Sequence, residues 1–156
     1  MPRDHHYAAR LVWTGGVAGG TSNYASYSRE YAITIAGKPP LKGSSDPQFR
    51  GDPALYNPED LLVAALSACH MLTYLAICAR RRITVLSYED EASGTMVLEG
   101  GGGHFTEVTL RPVVRVAAGT DLAVAEATHD QAHRECFIAS SVNFPVRHEA
   151  RVSAGG

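Results

Sequence analysis

From Leu61 to Ala79 the chain runs for nineteen residues without a formal charge, LLVAALSACHMLTYLAICA, with apolar side chains on every helical face. A helix of that kind has no side suited to water and must be surrounded. Its start is written just ahead. Asn57 is an N-cap, Pro58 suits the first helical position, and Glu59 and Asp60 favour the positive end of the helix dipole. These signals predict a helix over about residues 58–82. A membrane span is the rival, since about 18 apolar residues make a candidate. His70, Thr73 and Tyr74 interrupt the run, Ala and Ser dilute it, and amphipathic strands follow, so a buried central helix is the reading taken. One small sheet does not cover such a helix. The expectation is a homodimer with this helix at its centre.

A chain of 156 residues fits one domain over 1–156, in which roughly 70% of the unfolded surface is buried on folding. With a net charge of -2 and 19% charged residues there is no bulk field to hold a nucleic acid or an anionic membrane. The N-terminal MPRDHHYAAR lacks an apolar signal-peptide run, which places the expected protein in the cytoplasm. A disulfide there is more often transient and catalytic than structural.

Strand patterns are expected over about 7–45, where Tyr31, Ile33 and Ile35 alternate with smaller or polar residues. KPPLKGSSDPQFRGDPALY then reads as a long ordered loop or a short edge strand. After the central helix, ITVLSYEDEASGTMVLEG and HFTEVTLRPVVRVA predict a hairpin over about 83–117, joined through the glycines at 100–103. In its second arm Val108, Leu110, Val114 and Val116 share one face, with Glu107, Thr109, Arg111 and Arg115 opposite. A second helix is expected at about 121–135, capped by Thr120 or Asp121, and a last strand at about 144–152. The fold class is α+β.

The chain has three cysteines. Cys69 and Cys78 lie nine residues apart on the predicted helix, which turns them to opposite sides and separates their Cα atoms by about 13 Å, beyond the ~7 Å reach of a disulfide. Cys78, among Leu75, Ile77 and Ala79, reads as a small buried hydrophobe. Cys69 shares a stripe with Glu59 and Thr73, at spacings of ten and four, where the helix collects its polar groups. Cys136 falls where the second helix runs out, in HRECFIASS. The residues alone do not say that it meets Cys69.

Taken together, YNPEDLLVAALSACHMLTYLAICA resembles the central-helix signature of the OsmC/Ohr family of thiol peroxidases: Asn-Pro-Glu, a run of Leu and Ala, then Ala-Cys. CFIASSVNFPV resembles that family's second cysteine segment. The resemblance implies an OsmC-like fold in which antiparallel sheets from two intertwined chains wrap long central helices. It further implies reduction of organic peroxides, with hydrogen peroxide as an open second substrate, by a peroxidatic Cys69 and a resolving Cys136. Glu59 would be the carboxylate that orients an activating arginine. The family's TGGRDG-like turn is matched here by TGGVAGG, without an arginine. Arg50, in DPQFRGDPALY, is favoured in its place, with Arg29, in YSREY, as the alternative. No cofactor is implied beyond an external dithiol reductant.

The chemistry asks for such a set. A thiolate attacks a peroxide oxygen, and an ordinary cysteine with a pKa near 8.5 is mostly protonated at neutral pH. Arginine keeps its charge, and a carboxylate holds its fork by paired hydrogen bonds. Glu59 and Cys69, ten residues apart, are ~15 Å apart along a straight helix. Either an arginine from another segment bridges part of that span, or the two-fold partner supplies its Glu59 to the neighbouring Cys69.

Two rivals stand beside this reading. In a Cys-His hydrolase His70 would be the base, but it points about 100° away from Cys69 on a helix. In a non-catalytic, metal- or ligand-binding protein of this family, His129, His133 and Cys136 would form the site, at spacings of four and three.

Overall fold

The structure is a computed structural model describing residues 1–155, and the chain forms two compact units, one up to Leu61 and one from Leu62 onward. It is a mixed α+β arrangement of nine short strands and two helices among the described residues.

The first unit is built on an antiparallel sheet of β1 (Arg10–Trp13), β2 (Tyr31–Thr34) and β3 (Leu41–Gly43), in that order. Gly43 lies under the Tyr31 ring, where an added Cβ would meet ring carbon at 2.3 Å. The Pro- and Gly-rich segment expected as a loop or edge strand contains β3, then a 3-10 turn over Pro47–Phe49 capped by Asp46, whose carboxylate accepts from the Gln48 N–H at 2.7 Å. Arg50 follows in the left-handed region at φ 65°, and Gly51 turns so tightly that an added Cβ would sit 1.5 Å from the Ser45 carbonyl oxygen. The chain then enters α1 (Pro58–Arg80) through a reciprocal cap: the Asp60 N–H donates to Asn57 Oδ1 at 2.8 Å, and the Asn57 N–H donates to Asp60 Oδ2 at 3.2 Å. Two of the donors that every helix start leaves open are thereby satisfied.

The far end of α1 is closed by a Schellman motif. The Ile83 N–H reaches back to Cys78 O at 2.9 Å and the Arg82 N–H to Ala79 O at 3.2 Å, with Arg82 in the left-handed region at φ 59°. That geometry stops the helix at Arg80, two residues short of the expected end.

In the second unit the expected hairpin has a joint. Each long arm breaks, giving β4 (Val85–Asp90) and β5 (Ser93–Glu99) on one side, β6 (Gly102–Leu110) and β7 (Pro112–Val116) on the other. The break is held by Asp90, whose Oδ1 accepts from the Arg111 N–H at 2.6 Å, and by the Arg111 guanidinium, which donates to Ser93 Oγ at 2.8 Å. The last strand is also split, into β8 (Val146–His148) and β9 (Arg151–Ala154). Two three-stranded sheets result, β4-β7-β9 and β5-β6-β8, with β8 and β9 pairing parallel to β6 and β7.

The alternation read from the sequence is realised: Val108, Leu110, Val114 and Val116 are all buried, while Arg111 and Arg115 are exposed. Thr109, expected on the wet face, is buried as well. α2 (Leu122–Glu135) starts at Asp121, whose carboxylate accepts from the Ala123 and Val124 N–H groups. Two apolar cores form along α1. Tyr74, Ile77 and Cys78 pack with Val114, Val116, Ala125 and Ala132, whereas Leu66 packs with Val108, Leu110 and Val146. His70 falls between them.

In the single chain α1 is covered on one face, along Leu66, His70, Tyr74, Ile77 and Cys78. Ala64, Ala68, Leu72 and Ala76 remain exposed. The helix is long and apolar enough to cross a membrane by length and composition, a property shared by core helices.

A left-handed non-glycine residue costs roughly 1 kcal/mol. Arg82→Gly is therefore expected to stabilise the protein by up to about 1 kcal/mol, read as a higher urea midpoint at unchanged slope.

Candidate functional site

Cys69 sits in the middle of α1, half-buried, and Cys136 is the C-cap of α2, 1% exposed. The extended backbone of Cys136 (φ -69°, ψ 116°) ends the helix and leads into a 3-10 turn over Ala139–Ser141. This turn is tied down by Ser140 N–H to Cys136 O at 3.0 Å and by Ser141 Oγ–H to Phe137 O at 2.7 Å. The tail of α2 thereby lies close to Cys69, near enough for each thiol to shift the acidity of the other.

Their environments push them apart in acidity. Burial by itself would raise Cys69, but the peptide N–H groups of Ile138 and Phe137 and the Cys136 thiol favour its thiolate, and the net effect is a lowered pKa. Burial pushes Cys136 up to about 11, and the neighbouring Cys69 sulfur adds to the effect. One proton shared between two sulfurs therefore resides on Cys136. Thr73 also donates to the Cys69 carbonyl oxygen at 2.8 Å, which fixes its rotamer. Cys78 is fully buried in the other core, its thiol pushed up by burial despite the opposing influence of the neighbouring Tyr74 hydroxyl.

In the first unit Arg29 and Glu59 line one cavity of about 330 Å³, together with Trp13, Tyr31 and Asp46. Arg29 is fixed by two main-chain contacts, Nη1 to Tyr27 O and Nη2 to Tyr24 O, each 2.5 Å. Its guanidinium also stacks on two rings, 3.8 Å from the Tyr27 centroid and 4.6 Å from that of Tyr24. Glu59 Oε2 is buried and has no hydrogen-bond partner among the described residues. Arg50 is exposed and does not line this cavity.

A group that the sequence reading did not assemble lies beside Cys69. His70 and His129 are 1% and 0% exposed, joined Nε2 to Nδ1 at 3.0 Å with nearly parallel rings. Tyr74 stacks on His129 at 3.9 Å between centroids, and His148 stacks on His70 at 5.6 Å. His133 lies 5.9 Å from His148, whose Nε2 meets Asp130 Oδ1 at 3.2 Å. Burial, reinforced by the neighbouring histidines, holds His70 at about 4 and His129 at about 3. The four-residue spacing of His129 and His133 was visible in the sequence, but with Cys136 it suggested a metal set. The structure turns His129 toward His70 and Cys136 toward Cys69, and no three His, Cys, Asp or Glu residues among those described are placed to hold a metal ion.

Residues 51–151 match the family of OsmC-like proteins. The chain belongs to the OsmC-like family. It is 34% identical to an OsmC-like protein of unknown function from Vibrio cholerae, whose solved structure it matches over 95% of this chain and 100% of that one at a TM-score of 0.83. An organic hydroperoxide resistance protein from Elizabethkingia anophelis, 18% identical, shares the fold over 99% of this chain and 100% of that one at a TM-score of 0.70. The uncharacterized protein YmaD of Bacillus subtilis is 24% identical over 98% of each chain.

The acidity difference has a direct readout. Iodoacetamide at neutral pH is expected to alkylate Cys69 at least about tenfold faster than Cys136 or Cys78, since only the thiolate reacts. Peptide mapping by mass spectrometry after brief labelling measures this.

Proposed function

We propose that this protein is a thiol-dependent peroxidase that reduces hydroperoxides, organic ones in preference to hydrogen peroxide. The observation that carries the reading is the contact between a thiolate-favouring Cys69 and a protonated Cys136. The Cys69 thiolate attacks the terminal oxygen of ROOH, the O–O bond breaks, and the alkoxide takes a proton to leave as ROH. Cys69 is then a sulfenic acid. The Cys136 sulfur attacks Cys69, the hydroxyl leaves as water with the Cys136 proton, and a disulfide forms. An external dithiol reduces it by exchange, as expected in a reducing cytoplasm.

In the same proposal Arg29, rather than Arg50, is the activating cation and Glu59 its orienting carboxylate. Its support is the cavity that the two side chains share and the unpartnered Glu59 oxygen. They act in a homodimer, a second copy covering the exposed stripe Ala64, Ala68, Leu72 and Ala76 of α1. The preference for organic peroxides rests on the exposed apolar side chains flanking the two sulfurs, Leu72 at 61% and Phe137 at 80% exposure.

The test is peroxide consumption with a dithiol reductant, comparing cumene hydroperoxide with hydrogen peroxide. Cys69→Ser is expected to abolish turnover. Cys136→Ser should stop after one equivalent with a trappable sulfenic acid. Loss of one positioned cationic donor is worth roughly 10²–10³ in rate, so Arg29→Ala should fall by about that factor while Arg50→Ala stays within about twofold. Turnover by Cys69→Ser, or a titration in which peroxide removes fewer than two thiols, overturns the assignment. Sedimentation of the native protein as a monomer would remove the second copy from it.

A further inference from the structure

Three elements meet at the histidine stack, and two of them, α1 and α2, carry or lead into the two sulfurs. His70 directly follows Cys69 on α1. His129 and His133 lie on α2, whose final residue leads into Cys136. His148 comes from β8, the parallel neighbour of β6. Few polar contacts join α1 to α2 here. Among the described residues they are the His70–His129 hydrogen bond, the Tyr74 hydroxyl donating to Ala125 O at 2.9 Å, the exposed Arg80–Glu135 ion pair at 3.8 Å, and Arg81, just past the end of α1, which donates to Thr128 at 3.0 Å and to Gln131 at 2.5 Å. On α1 the histidine bond lies nearest Cys69, and the contacts nearer Cys136 on α2, at Gln131 and Glu135, are exposed whereas the histidine bond is buried.

We propose that this stack is a proton-sensitive latch that holds the Cys136 end of α2 against Cys69, closed when its imidazoles are neutral and opened by acid. His70 and His129 are positioning residues, and the reading deepens the two-cysteine mechanism above, on which it rests.

The physical argument is one of crowding and desolvation. A single proton suffices for the His70–His129 bond, and neither ring is exposed enough to hydrate a charge. The titratable and charged groups facing them offer little relief. From α1 there is Tyr74. From α2 come His133 and Asp130, the latter paired at the surface with His148. From β4 come Asp90, which favours a charged His70 but is engaged with Ser67 Oγ and the Arg111 N–H, and Tyr88, whose hydroxyl is buried without a partner. His148 of β8 is the remaining neighbour, and a charge on it repels one on either buried ring. His129 Nε2 is likewise buried and unpartnered, so a proton arriving there finds no acceptor.

The sign follows from linkage. The buried histidines bind protons less readily when the latch is closed than the ordinary value near 6.5 they regain on opening. Their contribution to closure is complete above about pH 6.5 and is lost as the pH falls toward 4. For one such histidine, closure weakens relative to opening by roughly thirtyfold between pH 7.5 and 5.0.

Hydrogen exchange of the α2 amides, corrected for the intrinsic pH dependence, reads this ratio on the native protein. The expected result is a rise in the opening constant over residues 122–136 of roughly thirtyfold or more between pH 7.5 and 5.0, with β7 unchanged. In the double variant His129→Asn/His70→Gln, whose side chains keep hydrogen-bonding atoms near the lost ring nitrogens and cannot charge, the rise should shrink to about threefold or less. An unchanged opening constant in the wild type, or an equal rise over α2 and β7, overturns the latch. Should the double variant fail to fold, the wild-type comparison of α2 with β7 still decides.

The link to the sulfurs is read with diamide, an azo oxidant that converts two thiols to a disulfide while being reduced to a hydrazine and needs no peroxide. The rate of Cys69–Cys136 bond formation is divided by the iodoacetamide rate of Cys136→Ser at the same pH, which removes the ionisation of Cys69. This ratio should fall by about tenfold or more from pH 7.5 to 5.0 in the wild type and by less than about twofold in the double variant. A parallel fall in both proteins overturns the proposal. A latch that responds as expected in a protein that does not consume peroxide would sink the peroxidase reading alone.

Discussion

The structure depends on enclosing a helix that has no charge over most of its length. α1 runs from the Asn57 cap to the Schellman turn at Arg82, and the second unit is organised as its cover, with β7 and α2 closing one core and β6 and β8 another. Both cores draw on aliphatic side chains, each worth roughly 1.5–3 kcal/mol when fully buried. Between them the helix presents Cys69 on one side and His70 on another. The polar chemistry is thus set where the apolar packing changes from one cluster to the next, and the geometry of two small groups is held by many large ones.

Much of this was legible from the chain. Asn57, Pro58 and the two carboxylates marked the start of α1, and the structure places it there. The alternation of Val108, Leu110, Val114 and Val116 identified the buried face of β6 and β7 because a period of two survives a kink in the strand. The kink itself was hidden, since it depends on Asp90 accepting from Arg111, a contact across 21 residues with no local pattern. The parallel placement of β8 and β9 was hidden for the same reason.

At the site, spacing argued correctly that Cys69 and Cys78 face apart, yet it contained nothing to bring Cys136 to Cys69. That juxtaposition arises from how α2 ends and where its tail is folded back. Periodicity also could not rank Arg29 against Arg50, because both lie in irregular segments. The surroundings differ sharply, one guanidinium sandwiched against two tyrosine rings beside Glu59 and the other exposed at a left-handed turn. The histidines were each visible, but their stacking was not, since His70, His129 and His148 come from three separate elements.

The turn at Gly51 carries a lesson about sequence drift. Any side chain there would overlap the Ser45 carbonyl, a clash with main chain that no rotamer relieves. Residue 51 is therefore a column in which descendants of this chain have no room to vary while the corner keeps its shape. The approach to α1 is inherited as a fixed bend, and diversification is left to the neighbouring positions whose side chains point outward.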